Sequence, residues 1–430
     1  MNKLGKKLLA IVLVFSFAFV ALNSANALNA QGSNNLVRKI VVFDKNISDK
    51  GIKTGILKKA GAQELDDLAL VNSISVMMPE KAISALEKMA GIRSVEEDAM
   101  FYTLARPDTE CGNGACEPGE NVNKCPQDCS GDDEDPEPPQ EPSQVVPWGY
   151  NRIYTVEANQ VNRGTGIRVG IIDTGISTSH PDLAVKGGIN TINTRKSYND
   201  DNGHGSHVAG TVAALDNNIG VIGVAPEAEL YAIKVLDRRG VGYLSDIIEG
   251  LEWSINNGMQ VVNMSLGRLG ITYVNGVDIY EEAINAVYNE GITIVAAAGN
   301  DGDGIDSNHE IYYPARYTNT IAVSATDDTD NLAWFSSWGE GIDIAAPGQD
   351  IISTYKGDGY AIGSGTSMAT PHVVGVVALI LNSDITGYDF DGDGEWDPNE
   401  VKQKLQDGAE DIGLSEDKQG AGLADARSGI

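Results

Sequence analysis

From residue 143 onward, short apolar runs alternate with stretches of helical spacing, and that alternation fixes the architecture this part of the chain can take. The runs are Val169–Ile172, Leu230–Val235, Val261–Met264, Thr293–Ala297 and Ile321–Ala325. A run that is apolar at nearly every position, on both sides of the strand, has both faces covered, and strand–helix alternation covers them by returning each strand parallel to the last. The expected fold class is therefore α/β, a mostly parallel sheet with helices on both faces. In such a sheet ligands bind beyond the carboxyl ends of the strands. The residues just after each run are thus the place to look for chemistry.

Three segments there carry reactive groups: Gly170-Ile-Ile-Asp173-Thr-Gly, His204-Gly-Ser-His-Val-Ala-Gly-Thr211 and Gly365-Thr-Ser367-Met-Ala-Thr-Pro-His372. A serine hydroxyl is a weak nucleophile until a base takes its proton, and a histidine serves as that base when a buried carboxylate holds its tautomer. Taken singly, the Asp is a turn or helix cap, the His a solvated side chain and the Ser an N-cap. Together they are an acyl-transfer triad of Asp173, His204 and Ser367. A fourth group is Asn300, which ends Ile292-Thr-Ile-Val-Ala-Ala-Ala-Gly-Asn. A side-chain amide there can stabilise the oxyanion of a tetrahedral intermediate.

A second kind of chemistry is written in one linear stretch, Asp389-Phe-Asp391-Gly-Asp393-Gly394-Glu395-Trp-Asp397-Pro-Asn-Glu400. Oxygen donors stand at loop positions one, three, five, nine and twelve with glycine at six, the pattern of an EF-hand-type calcium loop. Asp389, Asp391, Asp393, Asp397 and Glu400 would supply side chains, and Glu395 its carbonyl. The competing reading is an acidic turn.

These motifs make the chain similar to the subtilases, the subtilisin-type serine proteases. The resemblance covers residues 143–430 and a stretch before them. Its main local departure is Ser206, where the family usually has Thr. The resemblance implies a subtilisin-like fold and a serine endopeptidase. Asp173 would be the orienting carboxylate, His204 the general base and then acid, and Ser367 the nucleophile. Asn300 and the Ser367 N–H would form the oxyanion hole. It implies two substrate-binding edges, Gly240-Val241-Gly242 and Ser265-Leu266-Gly267, which pair with an extended peptide. Ala297, Ala298 and Gly299 would line the primary pocket, with Tyr312 at its base and Asp301 at its rim. Leu236, Leu244, Ile247 and Leu266 would form the P4 pocket; otherwise these four are ordinary core. A second calcium site is also implied, with Gln144, Asp182 and Asn217 giving side chains and Leu215, Ile219 and Val221 carbonyls.

The rest of the chain divides around this region. Residues 1–27 read as a secretory signal peptide: three lysines by Lys7, the apolar run Leu8–Leu22, and Ala25-Asn-Ala27 as a cleavage site. Leu28-Asn-Ala30 is a second cleavage option, and a retained anchor is the alternative. Residues 34–104 form a small α+β unit, with strands expected at Val37–Phe43 and Ala69–Met78, a helix at Pro79–Met89 and a closing strand at Ile92–Asp98. It resembles the family's inhibitory propeptide, whose last side chains would occupy the protease's own pockets. Placing Leu104 in the primary pocket and Phe101 in the P4 pocket sets autocleavage at Leu104–Ala105. Residues 105–130 hold all four cysteines, at 111, 116, 125 and 129. They read as two disulfides of open connectivity, or as a four-thiolate zinc site. Residues 131–142 are an acidic, proline-rich linker. Residues 143–430 are the catalytic domain, with the calcium loop inserted at 384–400.

A net charge of −30 argues against nucleic acid and suits divalent cations. The expectation is thus a secreted, extracellular endopeptidase with Ca2+ as its cofactor. Its partners would be protein or peptide substrates and its own propeptide as intramolecular inhibitor. No nucleic acid, no membrane after signal removal, and a monomeric state are expected.

Overall fold

A computed structural model describes residues 35–104, 144–270, 276, 278–302 and 310–430. The signal peptide, the cysteine module and the linker lie outside the described residues.

The larger part is built on seven parallel strands. In chain order they are β6 (Arg168–Asp173), β7 (Val185–Asn190), β8 (Glu229–Lys234), β10 (Val261–Met264), β12 (Thr293–Ala297), β13 (Ile321–Thr326) and β14 (Ile344–Pro347). Their spatial order is β14-β13-β12-β10-β6-β8-β7, every neighbouring pair parallel. The chain starts mid-sheet at β6, runs outward one way and returns to build the other side from β10. The topological switch therefore falls between β6 and β10, and Asp173 stands at the carboxyl end of β6.

Alternation along each strand supplies two cores. Val169, Ile171, Val261, Val295 and Val323 face α5 (His204–Ala213) and α8 (Thr366–Leu381). Ile172, Val262, Met264, Ile294 and Ala322 face α6 (Leu244–Asn256) and α7 (Ile279–Asn289). Successive side chains of a strand point to opposite faces, so a strand apolar throughout is what two helical layers require. Helix α8 is buried from Thr366 to Ile380, the central element of the first core. Helix α9 (Pro398–Asp407) follows the acidic loop.

The N-terminal unit is a four-stranded antiparallel sheet, order β2-β3-β1-β4, of β1 (Leu36–Phe43), β2 (Gln63–Leu68), β3 (Ser73–Pro79) and β4 (Ile92–Glu97). Helices α1 (Lys50–Lys59) and α2 (Ile83–Leu86) accompany it. In β1 the period of two is legible: Val41 and Phe43 join Leu57 and Leu86 in a core of the unit's own, while Ile40 and Val42 join the α6–α7 core. Two expectations need correction. The run Ala69–Met78 is not one strand: Ala69–Val71 is a 3-10 turn, and Asn72 adopts the left-handed conformation (φ 51°) before β3 begins. The helix expected over Pro79–Met89 shrinks to a 3-10 turn and the single turn of α2.

The last strand of the N-terminal region, β5 (Met100–Thr103), leaves its own sheet. It lies antiparallel between β9 (Val241–Tyr243) and β11 (Leu266–Gly267) of the larger part.

Candidate active site

Strand β6 ends on Asp173 and helix α5 starts on His204, which brings the two side chains together across 31 residues of chain. His204 Nδ1 lies 2.8 and 2.9 Å from the two carboxylate oxygens of Asp173, both residues buried. Gly205 permits the approach: a Cβ there would sit 2.1 Å from Gly175 O and 3.1 Å from Asp173 Oδ1. With Nδ1 donating to the carboxylate, Nε2 is left as the acceptor in the neutral ring. That Nε2 is buried and has no hydrogen-bond partner among the described residues.

Ser367 sits in the first turn of α8 and is fully buried. Its hydroxyl donates to Ser265 O at 3.0 Å, while Ser265 Oγ donates back to Ser367 O at 2.9 Å. Asn300 follows β12 across Gly299. Its Oδ1 accepts from Thr366 N and Thr366 Oγ1, both at 2.9 Å, which leaves the Nδ2 end facing the cleft. Nδ2 donates to Leu104 O at 2.6 Å, and Ser367 N reaches the same oxygen at 3.3 Å. Sequence reasoning missed Thr366 and Ser265 as supports. The Gly-Thr before Ser367 is a signal that could have suggested the first.

The two glycine-bearing edges hold β5 by its backbone. Thr103 N donates to Gly240 O at 3.0 Å and Leu104 N to Ser265 O at 3.3 Å. Met100, Phe101 and Tyr102 pair with Tyr243, Gly242 and Val241; Thr103 and Tyr102 pair with Leu266 and Gly267. A Cβ on Gly240 would come within 2.6 Å of Thr103 Oγ1, and one on Gly242 within 2.1 Å of Val235 O. Phe101 is fully buried among Leu236, Leu244, Ile247 and Leu266, with its ring edge-on to Tyr280 at 5.1 Å. Leu104 lies against Gly267, whose added Cβ would sit 3.1 Å from Leu104 Cδ1 and 3.2 Å from Tyr312 Cβ. Tyr312 N donates to Ala298 O at 2.8 Å, its ring covers Gly299, and its hydroxyl donates to Asp301 Oδ2 at 2.5 Å. Ala297 and Ala298 are fully buried at the end of β12. Burial and the Asp301 carboxylate push the Tyr312 phenol well above its ordinary range.

Two further histidines, His207 and His372, are buried against carbonyls. Burial lowers both to about 4, so they are neutral core groups.

The acidic loop brings together Asp389, Asp391 and Asp393, whose ligand oxygens lie within 4.8 Å of one another. Three carboxylates this close repel unless a cation sits among them, and an all-oxygen set suits a hard ion such as Ca2+. Glu395 is exposed. Asp397 and Glu400 form a capping box on α9, and Glu400 Oε1 also accepts from Phe390 N at 2.6 Å, which folds position twelve back onto position two. The second implied set also gathers. Gln144 Nε2 lies 2.6 Å from Leu215 O and 2.9 Å from Val221 O, so its amide end and both carbonyls meet at one point. Asp182 takes Asn217 Nδ2 at 3.0 Å and Val221 N at 2.9 Å, and burial pushes its carboxyl up. Ile219 lies half-buried in the same loop, its N–H donating to Asn217 Oδ1 at 3.1 Å. Half a turn of the Gln144 amide would present an oxygen there, so this set also fits a hard cation.

Comparison with known proteins decides the family. Residues 164–423 match the model of the subtilase family, Peptidase_S8. This chain is a subtilase. It is 46% identical over 287 residues to Subtilisin Savinase of Lederbergia lenta, covering 66% of this chain and 99% of that protein. It is 43% identical over 365 residues to an alkaline protease of Alkalihalobacillus alcalophilus, covering 85% of this chain and 80% of that one. Subtilisin J of Geobacillus stearothermophilus is 35% identical over 413 residues, 95% of this chain and 93% of that protein. As a subtilase with these relatives the chain is a serine endopeptidase, acting on protein or peptide substrates. Among the described residues no helix is long and apolar enough to cross a membrane.

Proposed function

We propose that this subtilase is a secreted, calcium-stabilised endopeptidase made as an autoinhibited precursor that cuts itself between Leu104 and Ala105. The observation that carries the reading is Leu104 O, held by Asn300 Nδ2 and Ser367 N while β5 is paired on both sides. That is the geometry of a substrate carbonyl in an oxyanion hole. Matches of 365 and 413 residues, longer than the catalytic region, mean that relatives share sequence with the N-terminal unit too.

In the reaction Ser367 Oγ leaves Ser265 O and gives its proton to His204 Nε2 as it bonds to the Leu104 carbonyl carbon. Asp173 holds the imidazolium that forms. The oxyanion is taken by Asn300 Nδ2 and Ser367 N–H. The Leu104–Ala105 C–N bond then breaks, and His204 returns the proton to the leaving amine. Water repeats the sequence on the acyl-enzyme and leaves a carboxylate on Leu104. Residues 36–104 then remain docked as inhibitor. Peptide substrates would follow the path of β5, with P1 beside Gly267 and Tyr312 and P4 where Phe101 sits.

Calcium would be held by Asp389, Asp391, Asp393 and Glu400 in one loop, with Glu395 and Asp397 beside them. Gln144, Asp182, Asn217 and the Leu215, Ile219 and Val221 carbonyls would hold it in the other. It would neutralise like charges there and take no part in proton transfer. The apolar N-terminal 27 residues support export.

N-terminal sequencing of freshly processed protein tests the reading, beside a Ser367→Ala precursor. The expected first residue is Ala105, with Ser367→Ala uncut. Maturation of Ser367→Ala at the wild-type rate would refute the triad, and a first N-terminus at Ser143 with Leu104–Ala105 intact would refute the cleavage site.

A further inference from the structure

Between β7 and α5 lies a carboxylate outside the triad that is nevertheless tied to both halves of the acid–base pair. Asp200 is buried, with 4% of its surface exposed. Its Oδ1 accepts from Thr174 Oγ1 at 3.0 Å, Asn202 N at 2.9 Å and Gly203 N at 2.9 Å. Its Oδ2 accepts from Ser206 N at 3.0 Å and Ser206 Oγ at 2.7 Å. Thr174 follows Asp173, and Gly203 and Ser206 flank His204.

The contacts on Thr174 extend the link. Its N–H donates to Asp173 Oδ1 at 2.6 Å. Its hydroxyl, while donating to Asp200, accepts from Gly205 N at 2.9 Å. Its carbonyl accepts from the buried Lys234 ammonium at 2.6 Å. Every polar atom of Thr174 is thereby engaged, and the peptide beside Asp173 has one orientation. The Asp200 backbone is also fastened to the β6 side, through Asp200 N to Ile176 O at 3.2 Å.

We propose that Asp200 is a positioning residue for catalysis, a buried carboxylate that clamps the end of β6 to the first turn of α5 and so sets Asp173 against His204. The chemistry calls for a carboxylate at this point. It meets five donors and no acceptor, and only an ionised carboxyl is acceptor-only on both oxygens. An asparagine would aim its NH2 either at Ser206 N–H or at the Asn202 and Gly203 N–H groups, and donor would face donor. The same clamp shows why Ser206 suffices where the family usually has Thr: its hydroxyl donates to Asp200 and accepts from Ser177 N at 2.9 Å, and the methyl takes no part in either bond.

The test is Asp200→Asn in the full chain, with folded enzyme counted by fluorophosphonate labelling. The proposal rests on Asp173 and His204 being the acid–base pair; a wild type that takes no label at Ser367 would refute that reading instead. A displacement of the order of 1 Å in a reacting group costs up to about 100-fold, so the expected loss in kcat per labelled site is about 10- to 100-fold, with KM within about twofold. The acid limb of the kcat/KM profile and the low-field NMR resonance of the His204 Nδ1 proton should both move, neither of which a purely structural residue would alter. Thr174→Val removes one donor of the five and should shift the same two signals by less. It carries the test if Asp200→Asn fails to mature. Kinetics, acid limb and resonance all at wild-type values in whichever variant folds would overturn the proposal.

Discussion

Raising the pH should release the N-terminal unit from the processed enzyme. Where that unit covers α6, the first turns of the helix carry Asp246, Glu249 and Glu252, and the unit sets Asp66, Asp98 and Arg38 against them. Asp98 caps the helix start through Ser245 N at 2.9 Å, and Arg38 pairs with Asp98. Asp246 keeps the Tyr243 N–H at 3.2 Å against burial and neighbouring carboxylates, and Glu249 has burial and carboxylates alone. Burial first, then Asp98 and Asp66, hold Asp246 up at about 7 against the opposing Tyr243 N–H and Arg38. Burial first, then Asp66, Asp246 and Glu252, hold Glu249 up at about 7. On release both side chains regain water and lose Asp66, and Asp246 also loses Asp98 together with the smaller opposing pull of Arg38 relative to burial, so they return toward the ordinary range of about 4. The complex therefore binds more protons than its separated parts. Its affinity is full at acid pH, falls as pH rises through the window from about 4 to about 7, and is flat above it. One carboxylate weakens docking by up to about tenfold per pH unit in that window. Two would double the exponent, and partial exposure of Glu249 discounts its share, which leaves roughly 10- to 100-fold between pH 5.5 and 8.5. The assay incubates processed complex at each pH, jumps aliquots to one common pH and reads the initial peptidase rate as the fraction released. Asp246→Asn with Glu249→Gln should flatten the profile. Equal release at both pH values in the wild type, or an unflattened profile in the double variant, would refute the reasoning.

Phe101→Ala should speed the same release: burying a phenylalanine is worth about 2–3 kcal/mol, or roughly 30- to 150-fold in dissociation, read as the lag before activity appears, and a change below threefold would count against the P4 placement. Asn300→Ala should lower kcat about 100- to 1,000-fold with KM little changed, the cost known for this donor in subtilisin itself; a KM effect with kcat preserved contradicts an oxyanion role. Asp391→Ala with Asp393→Ala should remove one calcium per chain by native mass spectrometry and lower Tm in excess calcium, since an ion at 100 times its Kd adds about 2.7 kcal/mol; an unchanged count makes the loop an acidic turn. Tyr312→Gly should raise kcat/KM for Phe over Leu at P1, because it clears the ring that covers Gly299 and frees Asp301; an unchanged ratio rejects Tyr312 as a wall of that pocket.

What could be read in advance follows from the range of the forces involved. The strands of the parallel sheet are legible because burial on both faces writes an apolar run such as Ile294-Val-Ala-Ala297 into the sequence itself, whatever the rest of the chain does. The helix that the spacing of Pro79–Met89 predicts is a 3-10 turn and one α-helical turn in the structure, because local spacing competes with tertiary placement there. The edges β9 and β11 and the partner strand β5 carried no periodic signal. Each is two to four residues long and exists only by pairing with the others, so only the resemblance to subtilases pointed to them. The groups that act on the substrate were visible because glycine flanks them: Gly205 and Gly299 are required where a backbone must approach closely, and such glycines mark a site in sequence. The groups that hold those residues in place were not. Asp200 and Asp98 are small polar residues whose partners lie up to 147 positions away, and nothing in their neighbours separates a buried clamp from a solvated turn; Thr366 and Ser265 stand in motifs that mark the site, but not the hydrogen bonds they make there. In this fold the reacting atoms are encoded locally, while the precision of their alignment is encoded by contacts that exist only once the sheet has closed.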